Sequence, residues 1–236
     1  MCGIFAYTGS KGKNAAKVLM DGLLSLEYRG YDSAGMYIPE AGHIKTPGAV
    51  IELRKRVPKD FKGKSGIAHL RWATHGEPTE LNAHPHGSGD KEIWVVHNGI
   101  IENWQELRQK LIAKGHSFIS NSDTEVIPHL VEEYLKKHKN FEKAALAALN
   151  DLHGTYGIAL QYKGEPDKLI AARMGSPIVI GIGKGERFIA SDASPILPHT
   201  KKVVFLEDGE VAILTPDEHK IVKLNATRVN RKPENI

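Results

Sequence analysis

The single cysteine among the 236 residues is Cys2, directly behind Met1. Removal of Met1 would put a thiol and a free α-amine on one residue. An α-amine titrates near pH 7.7–8.0 and a thiol at about 8.5, so the amine can take the thiol proton near neutrality without help from a histidine. While Met1 remains, that nitrogen is a non-basic amide. Position alone would leave Cys2 as a small buried residue opening a strand; its companions decide between the two readings.

A thiolate that cleaves an amide needs donors for the tetrahedral oxyanion, groups that hold the substrate, and a cover against water. Asn98 and Gly99, placed just after an apolar run, can aim a side-chain amide N–H and a backbone N–H at one point. The same pair could be an ordinary Asn-Gly turn. Arg71 could hold a carboxylate through a bidentate fork or make a surface ion pair. Asp123 could accept from a substrate ammonium or cap a helix. A metal-site reading would gather His69, His75, His84, His86 and His97, but their spacing fits no zinc motif and no metal or cofactor is expected. Gly181, Gly183 and Gly185 lack the following helix that phosphate binding needs, so they read as a turn.

These residues need positioning. Residues 3–8 read as a buried strand, followed by a helix over about 13–28 with Ala15, Ala16, Leu19, Leu23 and Leu26 on one face and Gly30 to close it. Residues 65–70 and 92–97 suit buried strands, and the chemistry-bearing stretches come directly after each. Asn103 with Glu106 has the pattern of a capping box before a helix that stops at Gly115. Ser122 with Glu125 repeats the pattern, but Pro128 would then lie beyond the first turn, so that helix is expected to begin near Thr124. Asn140 caps a helix over about 141–152. From Gly154 onward short β segments follow at 156–162, 168–172, 178–182, 188–191, 202–206, 211–214 and 221–224. Strands, central helices and a long antiparallel run point to an α+β protein, with a four-layer αββα sandwich fitting the count. Residues 225–236, polar and basic, read as a linker or tail behind a domain over 1–224.

The net charge of +4 is concentrated in Arg54, Lys55, Arg56, Lys59, Lys62 and Lys64. Without interleaved aromatics or a nucleic-acid-binding motif, that stretch reads as a solvated loop, and no nucleic-acid partner is expected. No run of about eighteen apolar residues suggests a membrane span, and no signal peptide opens the chain, so a cytoplasmic protein is expected.

Six stretches carry a resemblance: residues 1–4 (MCGI), 27–35 (EYRGYDSAG), 71–78 (RWATHGEP), 82–86 (NAHPH), 95–103 (VVHNGIIEN) and 122–126 (SDTEV). In order and approximate spacing they resemble the glutaminase domains of the glutamine:fructose-6-phosphate aminotransferase family, and residues 173–177 (RMGSP) and 188–192 (FIASD) extend the likeness over nearly the whole chain. The resemblance implies an N-terminal-nucleophile hydrolase of the class II glutamine amidotransferase type. It implies that Cys2 attacks the side-chain amide of L-glutamine, that Asn98 and Gly99 form the oxyanion hole, and that Arg71 and Asp123 hold the α-carboxylate and α-ammonium. Trp72, Thr74, His75 and Gly76 would close over the substrate, and Arg29 would support the nucleophile electrostatically. The isomerase half of such synthases has no counterpart here, so the implied partner is a sugar-isomerase domain or subunit that receives ammonia.

Overall fold

The computed structural model describes residues 2–10, 12–72 and 77–236. The first half of the chain contains β1 (Gly3–Gly9), α1 (Ala15–Leu26), β2 (Ser33–Ile38), β3 (Gly42–Pro47), α2 (Val50–Arg56), β4 (Ser65–Arg71), β5 (His86–Gly87), β6 (Ile93–Ile101) and α3 (Trp104–Ala113). Next come α4 (Val126–His138), α5 (Phe141–Asn150), β7 (Gly154–Tyr162), β8 (Leu169–Met174), β9 (Val179–Gly183) and β10 (Glu186–Ala190). The chain finishes with β11 (Lys202–Phe205), β12 (Glu210–Leu214), β13 (His219–Lys223), β14 (Arg228–Val229) and β15 (Glu234–Asn235).

The strands form two sheets, one in the order β15-β11-β9-β10-β1-β4-β2-β3 and the other β14-β13-β12-β8-β7-β6-β5. Three apolar cores separate four layers. Phe5, Tyr7, Ala68 and Leu70 pack under α1 and α2. Ile4, Ala6, Ile67, Trp94, Val96 and Ala159 fill the space between the sheets. Val95, Ile158 and Ile170 meet α3, α4 and α5. Side chains alternate along a strand, so each central strand buries both of its faces, which explains why its sequence is apolar without alternation. The α+β, αββα layering expected from the sequence is the observed one.

Several local expectations change. α1 ends at Leu26 and passes through a 3₁₀ turn, Glu27–Arg29, to Gly30, whose φ of 89° only glycine adopts readily. Gly22, inside α1, lies where a Cβ would come within 2.0 Å of the Phe5 ring, so it sets the close approach of helix to sheet. Arg54, Lys55 and Arg56 are not in a loop but form the last turn of α2, where cations suit the helix dipole. Neither expected capping box forms: Asn103 Oδ1 accepts from His153 N (3.0 Å), while Glu125 accepts from Ile119 N (2.9 Å) and Ser120 N (2.7 Å). Ser122 instead caps a 3₁₀ turn, Asp123–Glu125, and α4 starts at Val126, which keeps Pro128 in the first turn. The 225–236 stretch adds a strand to the edge of each sheet, and Arg231 donates to Glu210 Oε1 (2.8 Å).

Candidate active site

The same alternation that builds the layer between the sheets builds the site. Ile4 and Ala6 face the second sheet, so Cys2 continues their side of β1 beyond the strand's start. Ile67 faces the same way on β4, which puts His69 and Arg71 on that face; Trp94 and Val96 do so on β6, which puts Asn98 there. Gly3 pairs with Leu70, so Cys2 lies beside the end of β4. The β1 start is pinned by Ser191, which donates N–H to Ile4 O (3.1 Å) and accepts from Ile4 N (3.0 Å).

The half-buried Cys2 sulfur receives Trp72 N–H at 3.2 Å and lies 3.5 Å from Trp72 O. Burial pushes the thiol's pKa up, partly opposed by the Trp72 N–H. At neutral pH it is therefore a protonated thiol that needs a base.

Asn98 lies within β6, not in a turn after it, because β7 pairs with the whole length from Ile93 to Ile101. Its Nδ2 donates to Cys2 O at 3.3 Å and its Oδ1 lies 2.9 Å from His69 Nε2. The Cys2 carbonyl only accepts, so the amide must turn its NH2 toward Cys2 and its oxygen toward His69. His69 Nε2 must then carry the proton. Burial holds the His69 pKa down to about 3, so the ring is neutral, and its Nδ1 has no hydrogen-bond partner among the described residues. His69 thus orients Asn98. Sequence reading had placed it among possible metal ligands; its position two residues before Arg71 on one strand face is the signal that puts it here.

Gly99 has φ 125°, and a Cβ there would come within 2.1 Å of Thr155 O. Glycine is required where β6 crowds β7. Arg71, 5% exposed, donates to Glu77 O (3.4 Å) and lies 3.9 Å from Asp32 Oδ1. Asp123 accepts from Ile101 N (2.8 Å) through Oδ2, which fixes it against the end of β6. Behind it, Thr124 Oγ1 lies 2.9 Å from His97 Nδ1 and 3.5 Å from His84 Nε2, while His97 Nε2 lies 3.4 Å from Thr155 O. The Thr155 carbonyl takes the His97 Nε2 proton, so Thr124 donates to His97 Nδ1 and tethers the Asp123 turn to β6. Cys2, Arg71, Trp72, Gly99, Asp123 and Thr124 line one cleft. A larger hollow, about 830 Å³ over α3 and α4, lies away from Cys2.

Trp72 is 52% exposed, and a Cβ at Gly30 would strike its ring at 2.4 Å, so the Tyr-Arg-Gly-Tyr stretch provides its seat. Arg29 pairs with Asp192 (3.2 Å), which also accepts from Tyr28. Asp192 follows the Ser191 that pins β1, so this pair braces the segment behind Cys2. Thr74, His75 and Gly76 lie outside the described residues. Cys2, Arg71, Trp72, Gly99 and Asp123 converge on one cleft with Asn98 hydrogen-bonded to Cys2, while Arg29 stands apart on Asp192.

A thiol near the chain start, an amide N–H donating to its backbone, and an arginine and an aspartate lining one cleft are the setting on which the chain's relatives bear. Residues 69–211 match the glutamine amidotransferase domain model. The chain belongs to the glutamine amidotransferase family. It is 47% identical over 244 aligned residues to the glutamine–fructose-6-phosphate aminotransferase (isomerizing) of Thermococcus kodakarensis, covering 99% of this chain and 39% of that protein. The protein of the same name from Escherichia coli K12 is 46% identical, with 98% and 38% covered. The chain therefore spans about two-fifths of the length of these curated relatives. Among solved structures, glutamine phosphoribosylpyrophosphate amidotransferase from B. subtilis aligns with a TM-score of 0.79 and 26% identity, over 94% of this chain and 49% of that one. A glutamine aminotransferase class-II domain protein from Silicibacter pomeroyi shares the fold alone, with a TM-score of 0.61 and 16% identity. This amidotransferase domain thus has the two-sheet N-terminal-nucleophile architecture of its relatives.

Proposed function

We propose that Cys2, once Met1 is removed, attacks the side-chain amide carbon of L-glutamine. Its α-amine takes the thiol proton and returns it to the leaving nitrogen. The carbon–sulfur bond forms as the carbonyl pair moves onto oxygen, and return of that pair breaks the carbon–nitrogen bond of the protonated nitrogen and releases ammonia. Water then hydrolyses the γ-glutamyl thioester to glutamate and regenerates the thiol. The observation that carries this reading is the Asn98 amide, held by His69 with its Nδ2 3.3 Å from the carbonyl of Cys2 itself. Asn98 Nδ2 and the Gly99 N–H stabilise the oxyanion, and a pre-oriented amide does so without reorganising during the reaction.

Arg71 takes the substrate carboxylate and Asp123 its ammonium, since a buried guanidinium and a fixed carboxylate lining the same cleft match an amino acid's charges. Trp72, Thr74, His75 and Gly76 cover the bound substrate, and the Arg29–Asp192 pair keeps the strand start rigid. The ammonia serves amination of fructose 6-phosphate by a sugar-isomerase domain or subunit, in keeping with the names of the relatives and the fraction of their length matched here. A reducing cytoplasm keeps such a thiol free.

The test is glutamate release from L-glutamine by protein whose intact mass shows Met1 removed, set beside protein that retains it. Turnover is expected only in the processed form, and Cys2→Ala should abolish it while leaving the melting temperature unchanged. Equal turnover with Met1 in place, or in Cys2→Ala, refutes the mechanism. Glutamine binding without turnover in the processed form would favour a binding module.

A further inference from the structure

Away from the cleft residues, His116, His129 and Glu132 come together with their ligating atoms all within 4.8 Å of one another. His129 and Glu132 are three apart on α4 and so share a face, while His116 follows the glycine turn after α3. All three are buried, with 8% exposure or less. None was singled out in the sequence. The histidines that were, His69, His84, His86 and His97, stack or hydrogen-bond around the cleft instead.

The ring nitrogens decide what this cluster needs. His116 Nε2 lies 2.9 Å from Glu133 Oε1, and His129 Nε2 lies 3.8 Å from Glu125 Oε1. A carboxylate only accepts, so His116 Nε2 carries a proton, and its neutral ring then has a bare lone pair at Nδ1. The two Nδ1 atoms face each other at 2.9 Å. The His116 lone pair is satisfied at that distance either by an N–H on His129 Nδ1 or by a cation held between the two nitrogens. Glu132 Oε2, oriented by Gly89 N–H (2.9 Å), stands 3.9 Å from His116 Nδ1. Three carboxylates around the cluster, Glu125, Glu132 and Glu133, outnumber the neighbouring Lys114 and Lys136.

We propose that His116 Nδ1, His129 Nδ1 and Glu132 Oε2 bind a divalent cation of the zinc class. A tetrahedral ion with bonds near 2.0–2.1 Å places its donors about 3.3 Å apart, between the 2.9 Å from His116 Nδ1 to His129 Nδ1 and the 3.9 Å from His116 Nδ1 to Glu132 Oε2, and small side-chain shifts would close the set around an ion. Two imidazoles and one carboxylate suit zinc or cobalt better than magnesium or calcium. Glu133, on the distal Nε2 of His116, is the outer partner that fixes tautomer and basicity at such sites. A cavity of about 280 Å³, walled by Gly89, Ser117, His116 and Glu132 with Lys114 and Lys136, reaches two of the three ligands and has room for water. The site ties residues 116–125 to α4, and so supports the turn carrying Asp123. It does not depend on the reaction assigned to Cys2.

Cobalt(II) titration of the full chain carrying Cys2→Ala, which removes the competing thiolate, tests the site. Saturation at about one equivalent, with the visible absorption of a tetrahedral ion that zinc abolishes, is the expected result. Glu132→Gln and His116→Gln should each weaken binding by 100-fold or more, and Glu133→Gln by about 10- to 100-fold. Absence of saturable binding, or equal binding in Glu132→Gln and His116→Gln, would overturn the site in favour of two histidines sharing a proton. Should His116→Gln not fold, imidazole ¹⁵N shifts of the Cys2→Ala chain decide: zinc must move both Nδ1 resonances, and static resonances refute it.

Discussion

Replacing His69 by Phe removes the Nε2–H that holds Asn98 Oδ1 while keeping a ring of similar size stacked on His84 (centroids 4.2 Å apart). The Asn98 amide is oriented by two bonds, one to His69 and one to the Cys2 carbonyl. The substitution leaves one. A neutral hydrogen bond contributes about 1–1.5 kcal/mol net, which corresponds to roughly a 5- to 15-fold change in the population of the productive orientation. The expected result is therefore a fall in kcat for glutamate release of about tenfold, with KM changed by no more than about twofold, because His69 touches neither Arg71 nor Asp123 in the role proposed for them. Asn98→Ala, which deletes the donor itself, should cost about 10²–10³ in kcat. Because His69 acts through Asn98, the double variant His69→Phe/Asn98→Ala should be scarcely slower than Asn98→Ala alone. Multiplying losses in the double variant, or a wild-type kcat in His69→Phe, would refute the positioning role.

The same substitution bears on acid stability. His69 has a folded pKa of about 3 against about 6.5 when unfolded, so between these values the unfolded chain binds a proton that the folded chain does not. Stability from this group is therefore constant above about pH 6.5 and falls with pH below it; urea melts should show wild type losing about 3 kcal/mol more than His69→Phe between pH 6.5 and 4. Gly99→Ala, which drives a Cβ to 2.1 Å from Thr155 O at φ 125°, should destabilise by about 1–3 kcal/mol and lower the melting temperature by several degrees. Arg71→Ala should raise KM for glutamine by about 10- to 100-fold through loss of a charge-assisted bond to the carboxylate, with the smaller effect on kcat; an unchanged KM contradicts its assignment.

Residue type and order alone determined a good deal here. A cysteine at position 2, an Asn-Gly pair, an arginine and an aspartate each carry usable chemistry in their own side chains but also an ordinary structural role, and it was the six motif stretches in order that pointed to the amidotransferase family. Helical periodicity revealed α1 and α5, and the run of short apolar segments after Gly154 revealed the antiparallel half. β2 and α2 were not legible. Ser-Ala-Gly-Met-Tyr-Ile is covered on both faces and does not alternate, and α2 is seven residues of mixed charge.

Only the tertiary structure decided what the side chains do to one another. Whether Asn98 lies in a turn or a strand depended on β7, a partner more than fifty residues away. Glu125 and Asn103 have the spacing of capping boxes, yet bond to Ser120 and His153, since a local pattern loses to any stronger partner that folding brings near. His69 became the group that orients Asn98, and His116 met His129, only when strands and helices packed, because a histidine's tautomer is set by its neighbours and not by its position in the chain.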